Sequence, residues 1–419
     1  MKRAWIVLSG WLLLSASPCS SADRAATSRV AGEKPPAEWP QFRGPTGQGH
    51  ATARDLPVTW SETENVAWKS ELPGRGWSSP VLRGNRIWLT AGDPETKTLR
   101  AFCLDRRTGE IRLNVVINKP SETGTIHGKN SLASPTPILE DDRVYVHFGP
   151  YGTACLSDEG EILWSTTLPH LQSYGPSSSP VLQGDQLIVP CLGTDERFLV
   201  ALDKRDGSLC WKKPIEGRNA ESTPLVIDTD AGPQLVSNQA DRIVAFDPKN
   251  GQELWWVTQT NFAQIPRPVA GHGLVFVGGG YFKPEVWAIR PEGRGDVTES
   301  HVVWRVNQAA PLNPSPLLVG DELYFVSDNG IASCVDARTG KLHWRERLGG
   351  EFTASPLFAD GRIYFLNETG TTTVVSPGEE FKQLAANELP GRTLASMAAV
   401  GRALYLRTDS HLYRLEKPQ

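Results

Sequence analysis

The sequence has little methionine and little cysteine, two and six in 419 residues. No cysteines are adjacent and none form a CxxC pair, which argues against a zinc site or a disulfide framework. No run approaches the about 20 apolar residues that a membrane-spanning helix needs; the first apolar run stops after Ala4 to Leu14. There is no GxSxG, no HExxH and no Walker loop, so the common nucleophile, zinc-protease and phosphate-loop signatures are missing. Charge of one sign is also lacking. Against 43 Lys and Arg stand 47 Asp and Glu, a net of −4, which gives no electrostatic reason to bind nucleic acid or anionic lipid.

The plentiful residues are Gly (39), Pro (32) and Trp (14), a composition suited to many short strands joined by tight turns. The chain opens with Lys2 and Arg3, an apolar segment and the small residues Ser20, Ser21 and Ala22. That order reads as a secretory signal peptide cleaved near Ala22, and it predicts a secreted or periplasmic protein. Lipidation at Cys19 fits less well, because Pro18 precedes it. Cys103, Cys155 and Cys334 take a place where other copies of a repeat carry Ala201, Ala245 and Ala288, the mark of a small buried packing site. One disulfide, Cys191 to Cys210, is compatible with an oxidising compartment.

The repeat is clearest at 313–348, NPSPLLVGDELYFVSDNGIASCVDARTGKLHWRERL. Four stretches of about five residues alternate with turn signals, an antiparallel meander. The opening proline recurs at Pro80, Pro137, Pro180, Pro224, Pro268, Pro316 and Pro356, and a Trp follows four residues after Gly160, Gly207, Gly251 and Gly340. Periods of about 40–50 residues with four strands each predict a β-propeller. The last copy, 394–416, has three strands, and NVAWKSELPG at 65–74 resembles the outer strand EILWSTTLPH at 161–170. The fold expected is therefore all-β, an eight-bladed propeller of four-stranded antiparallel blades closed by pairing the N-terminal strand with the C-terminal ones. The expected parts are a signal peptide (1–22), an extension (23–64) and the propeller (65–417).

At the unit A/C-L/V-D-x-x-T/D-G-x-x-x-W, with Ser-Pro opening each blade, the chain resembles the pyrroloquinoline-quinone-like β-propeller repeat family over about residues 65–416. It is also similar to a bacterial secreted subfamily that begins with a segment like WPQFRGP, here Trp39 to Pro45. The family includes quinone-dependent alcohol dehydrogenases and non-enzymatic propellers of the BamB type, which help assemble outer-membrane proteins. The resemblance implies a binding or assembly scaffold. A quinone-linked oxidoreductase and a carbohydrate- or peptide-binding propeller are the alternatives. No Cys-Cys lid and no calcium-ligand constellation can be found, so neither pyrroloquinoline quinone nor calcium is expected. The expected partner is an envelope or secreted protein, or a glycan, and the propeller is expected to be monomeric.

Smaller motifs read as turns. DTDAG at 228–232 lacks the later ligands of a calcium loop, and Arg294-Gly295-Asp296 is explained by a glycine turn. Asn367-Glu368-Thr369 forms a glycosylation sequon. Among the eight histidines, His127 and His147 stand out because they flank the longest insertion, 118–137. Loops entering the innermost strand of each blade sit at the channel mouth. Trp77, His127, Asn130, Tyr174, Glu221, Arg267 and Asn313 occupy them and differ between copies, so they are the expected ligand-binding residues. No catalytic or metal-binding residue is expected.

Overall fold

The computed structural model describes residues 38–418. The expected signal peptide, Cys19 and the first part of the extension lie outside the described residues. Eight sheets follow one another around a ring. Blades 1 to 7 span 81–118, 138–166, 181–214, 225–258, 269–306, 317–347 and 357–388, each with its strands in chain order from the axis outward. Blade 8 takes three strands from 398–415 and its outermost strand from Val66–Glu71. Trp68 pairs with Arg414 there. No helix among the described residues is long and apolar enough to cross a membrane.

The repeat motif is an inter-blade lock. Asp105 Oδ1 accepts the amides of Arg107 and Thr108, Asp247 Oδ1 that of Lys249, and Asp336 Oδ1 that of Thr339, which fixes the turn between third and fourth strands. The glycine ending that turn has positive φ, +75° at Gly207 and +73° at Gly340, a conformation that favours glycine. It also accepts the neighbour's tryptophan. A β-carbon on Gly207 would lie 2.6 Å from Trp164, and one on Gly340 2.8 Å from Trp304. The same indoles donate to turn carbonyls one blade on, Trp164 to Lys204 at 3.1 Å and Trp304 to Ala337 at 3.0 Å. The Ala or Cys site lies opposite the tryptophan of its own blade, as in Cys155 with Trp164, Ala201 with Trp211 and Cys334 with Trp344. A larger side chain there would displace the indole.

The apolar core runs between blades rather than inside one. Tyr145 and Trp164 of blade 2 pack with Leu187 and Val200 of blade 3. Blades 8 and 1 meet through charge as well. Arg407 is buried and donates to Ser78 O, Ser78 Oγ and Thr90 O, while Arg106 donates to Tyr405 Oη and Val400 O. The two chain ends are thereby tied across the closing seam.

Cys191 and Cys210, compatible with a disulfide, are not joined by one. One reading changes. Gly295 and Asp296 form a fifth strand, parallel to Trp255 and Trp256 at the rim of blade 4, so this tripeptide is part of a sheet and not only a turn. DTDAG closes the hairpin between Leu225–Thr229 and Gly232–Asn238.

Candidate functional site

The inner edge of each first strand faces the channel and carries unpaired backbone groups, which need partners when buried. Residues 39–51 supply them on blades 1, 2, 5, 6 and 7. Trp39 exchanges both amide bonds with Leu82 of blade 1, and Leu139 of blade 2 donates to Pro40 O. Ala270 of blade 5 donates to Gln48 Oε1, His50 Nε2 meets Leu318 O of blade 6, and Gly49 and Ala51 bracket Phe358 of blade 7. Arg43, left-handed at φ +65°, is buried and donates to Gln48 O at 2.9 Å and Pro316 O at 2.8 Å. The segment is a plug. It converts the channel into a cup of about 550 Å³ with Phe42 among its lining residues.

Above the plug a ring of hydroxyls explains the Ser-Pro that opens the blades. Ser79 N donates to Thr136 Oγ1, Thr136 N to Ser179 Oγ, and Ser179 N to Thr223 Oγ1. On the far side, Arg267 N donates to Ser315 Oγ, Ser315 N to Ser355 Oγ, and Ser355 N to Ser396 Oγ. Each hydroxyl stitches its blade to the preceding one. These hydroxyls also line the cup.

Trp77, His127, Asn130, Tyr174, Glu221 and Asn313 all line the cup. Arg267 does not. It stands one residue before Pro268, at the place of a ring hydroxyl, and sends its guanidinium to Phe42 O at 2.7 Å and onto Gly47. Burial lowers its pKa to about 9, and burial with the Arg267 charge does the same to Arg43. The reason for the difference is the unequal length of the linking loops, which shifts the mouth positions relative to the proline.

Along one wall a chain of bonds crosses three loops. Asn130 Nδ2 donates to Ser177 Oγ at 3.0 Å, and Ser177 Oγ to Glu221 Oε2 at 2.8 Å. No cation faces Glu221, and burial raises its pKa to about 8, so at neutral pH the carboxyl is mostly protonated and can donate as well as accept. On the opposite wall Asp328 accepts the amides of Leu312 and Asn313 together with Asn313 Nδ2. The insertion 118–137 leans over the mouth: Lys129 pairs with Glu368 at 2.8 Å and Glu351 at 3.0 Å, and Arg392 donates to Gly128 O.

His147 lies away from this cavity. It is buried against Thr153 Oγ1 at 2.8 Å, and burial lowers its pKa to about 3, so it packs as a neutral core residue. The sequence reading missed an aromatic cluster on the rim, Phe262 with Tyr281 and Phe282, their ring centroids 5.4 and 5.2 Å apart. Tyr281 is 61% and Phe282 73% exposed. The only hint in the sequence is the adjacent pair Tyr281-Phe282 after three glycines. A quinone with calcium would need a group of oxygen ligands. Among the described residues no group of three or more His, Cys, Asp or Glu is placed to hold a metal, and Glu221 is the one acidic residue on the cup wall. The residues present do not fit that cofactor.

The family model described as outer membrane protein assembly factor BamB matches residues 61–293 and 293–416. The assembly factor BamB of Yersinia pestis is 23% identical over 274 residues, 63% of this chain and 62% of that relative. That of Moranella endobia is 24% identical over 279 residues, 64% of this chain and 63% of that relative. Each alignment spans less than two thirds of the relative's own length. Among solved structures, BamB from Moraxella catarrhalis superposes with a TM-score of 0.59 at 12% identity, over 83% of this chain and 99% of that one. A europium-containing methanol dehydrogenase reaches 0.66 at 10% identity, over 90% and 91%. Likenesses at these identities show the fold alone.

Proposed function

The chain belongs to the family of outer membrane protein assembly factor BamB, and on that premise we propose that it is a non-catalytic binding scaffold of the cell envelope, working in the periplasm or secreted. In this reading residues 1–22 are a cleaved leader, 23–64 an extension that includes the plug at 39–51, and 65–417 the propeller. The partner is an envelope or secreted protein that enters the cup from its open mouth. The observation that carries the reading is the plug. Residues 39–51 close one end of the channel and leave one face, rimmed by the exposed aromatics Tyr174, Tyr281 and Phe282. Exposed rings beside a concave site are the usual anchors of a protein interface.

The experiment is a comparison of envelope proteins captured by the tagged protein and by a Tyr281→Ser/Phe282→Ser variant. The rim pair contributes little to the core, so the variant should fold as the parent does. Loss of specific captured bands in the variant supports the reading, and an unchanged set of bands contradicts it.

A further inference from the structure

The longest link between blades, nineteen residues (119–137) from blade 1 to blade 2, crosses the mouth of the cup. On its near side His127 N donates to Tyr174 O at 3.1 Å, and Asn130 Nδ2 to Tyr174 O at 2.9 Å and Gly175 O at 3.0 Å. Those two carbonyls belong to the loop between blades 2 and 3. On its far side Lys129 reaches Glu351 at 3.0 Å, in the loop between blades 6 and 7, and Glu368 at 2.8 Å, in a turn of blade 7. Arg392, between blades 7 and 8, donates to Gly128 O at 2.8 Å. In a ring of eight blades these two loops, 2 to 3 and 6 to 7, lie half a turn apart. Residues 127–130 therefore bridge the opening, and His127, Lys129 and Asn130 line the cup beneath.

This bridge is held differently from the ring. None of residues 119–130 is buried, and Ile126, its one aliphatic side chain apart from Pro120, is only half-buried. Directly after it Ser131, Leu132 and Ala133 are buried, and Ala133 O accepts the amides of Trp77 and Ser78. A segment with exposed hydrogen bonds and little buried apolar surface opens at a small fraction of the cost of unfolding. The far-side pairs act as its latch. When Lys129 leaves, its ammonium passes into water, while Glu368 keeps Thr353 Oγ1 at 2.6 Å and the Arg392 guanidinium at 3.5 Å. Release thus strands no buried charge, which is what makes breaking a buried ion pair costly.

We propose that residues 119–130 are a strap that gates the cup. Latched through Lys129, it roofs the mouth, and it must lift before a partner reaches the floor at Phe42. This rests on the binding reading above and adds what controls entry.

The test times access to the floor without any partner. A thiol is placed there by Phe42→Cys, and its labelling is followed with a bulky fluorescein maleimide and with small methyl methanethiosulfonate. The parent protein sets the background from the native thiols. Adding Lys129→Met should speed the bulky reagent about three- to tenfold, the scale of two lost, partly exposed ion pairs. The small reagent should be nearly unaffected, and the urea midpoint unchanged. Glu351→Gln should act in the same direction and less. Equal bulky-reagent rates with and without Lys129→Met overturn the proposal. So does an equal speeding of both reagents, which would mean that the plug itself loosens. Because no partner takes part, the scaffold reading is decided separately, by capture with the rim variant.

Discussion

Trp164 lies so close to Gly207 of the next blade that a β-carbon there would fall 2.6 Å from the indole. Gly207 also holds a φ of +75°. Gly207→Ala therefore meets two penalties, a left-handed backbone and an overpacked contact, together about 2–4 kcal/mol. Urea unfolding should show the unfolding free energy falling by that amount, with a lower midpoint. The same change at Gly184, where nothing lies within 4 Å, meets only the backbone penalty and should be milder.

The closing strand supplies a second expectation. Trp68 is half-buried, donates to Arg106 O at 3.0 Å and packs beside Tyr405. Trp68→Ala should cost about 2–4 kcal/mol, somewhat under a fully buried aromatic. Amide exchange should rise first in Val66–Glu71 and His411–Leu415, the strands it joins. A uniform rise around the whole ring would contradict the closing role.

The plug predicts protection where the sequence has no strand pattern. The amides of Trp39, Gly49 and Ala51 are all bonded to backbone carbonyls. They should exchange slowly, on the scale of the propeller strands. Fast exchange throughout 39–51 would mean a tether rather than a plug.

Glu221 links stability to pH. Its folded pKa, about 8, stands above the ordinary glutamate value of 4.5 because burial disfavours the charged form. The folded state thus holds the extra proton between those values, and stability from this group is full below about 4.5 and lost as pH rises through about 8. One proton sets a limit of about 1.4 kcal/mol per pH unit. Unfolding free energies measured between pH 5 and 8 should fall less steeply in Glu221→Gln than in the parent. Equal slopes would show that Glu221 does not titrate in this window.

The blades were legible because each lock uses conspicuous residues at a fixed spacing: the capping Asp, the left-handed Gly, the Trp. Even the closing strand at Trp68 could be recognised by its likeness to the strand around Trp164. The plug was not legible as a plug. Residues 39–51 have no alternation, because their hydrogen bonds go to five separate strand edges rather than to one partner strand. Six of the seven mouth residues were found from the loops, while Arg267 was displaced because loop lengths vary. The rim cluster joins Phe262 to Tyr281 and Phe282 across two loops, a proximity that no local pattern encodes.

The central claim is that partners enter at the open mouth of a cup closed by the plug. Site-specific photocrosslinking in cells tests it most directly, with the photoreactive residue placed either at Tyr281 on the rim or at Asp185 in a turn on the opposite face. The account predicts discrete crosslinks to an envelope protein from position 281 and none from 185. The same product from 185, with none from 281, would contradict it.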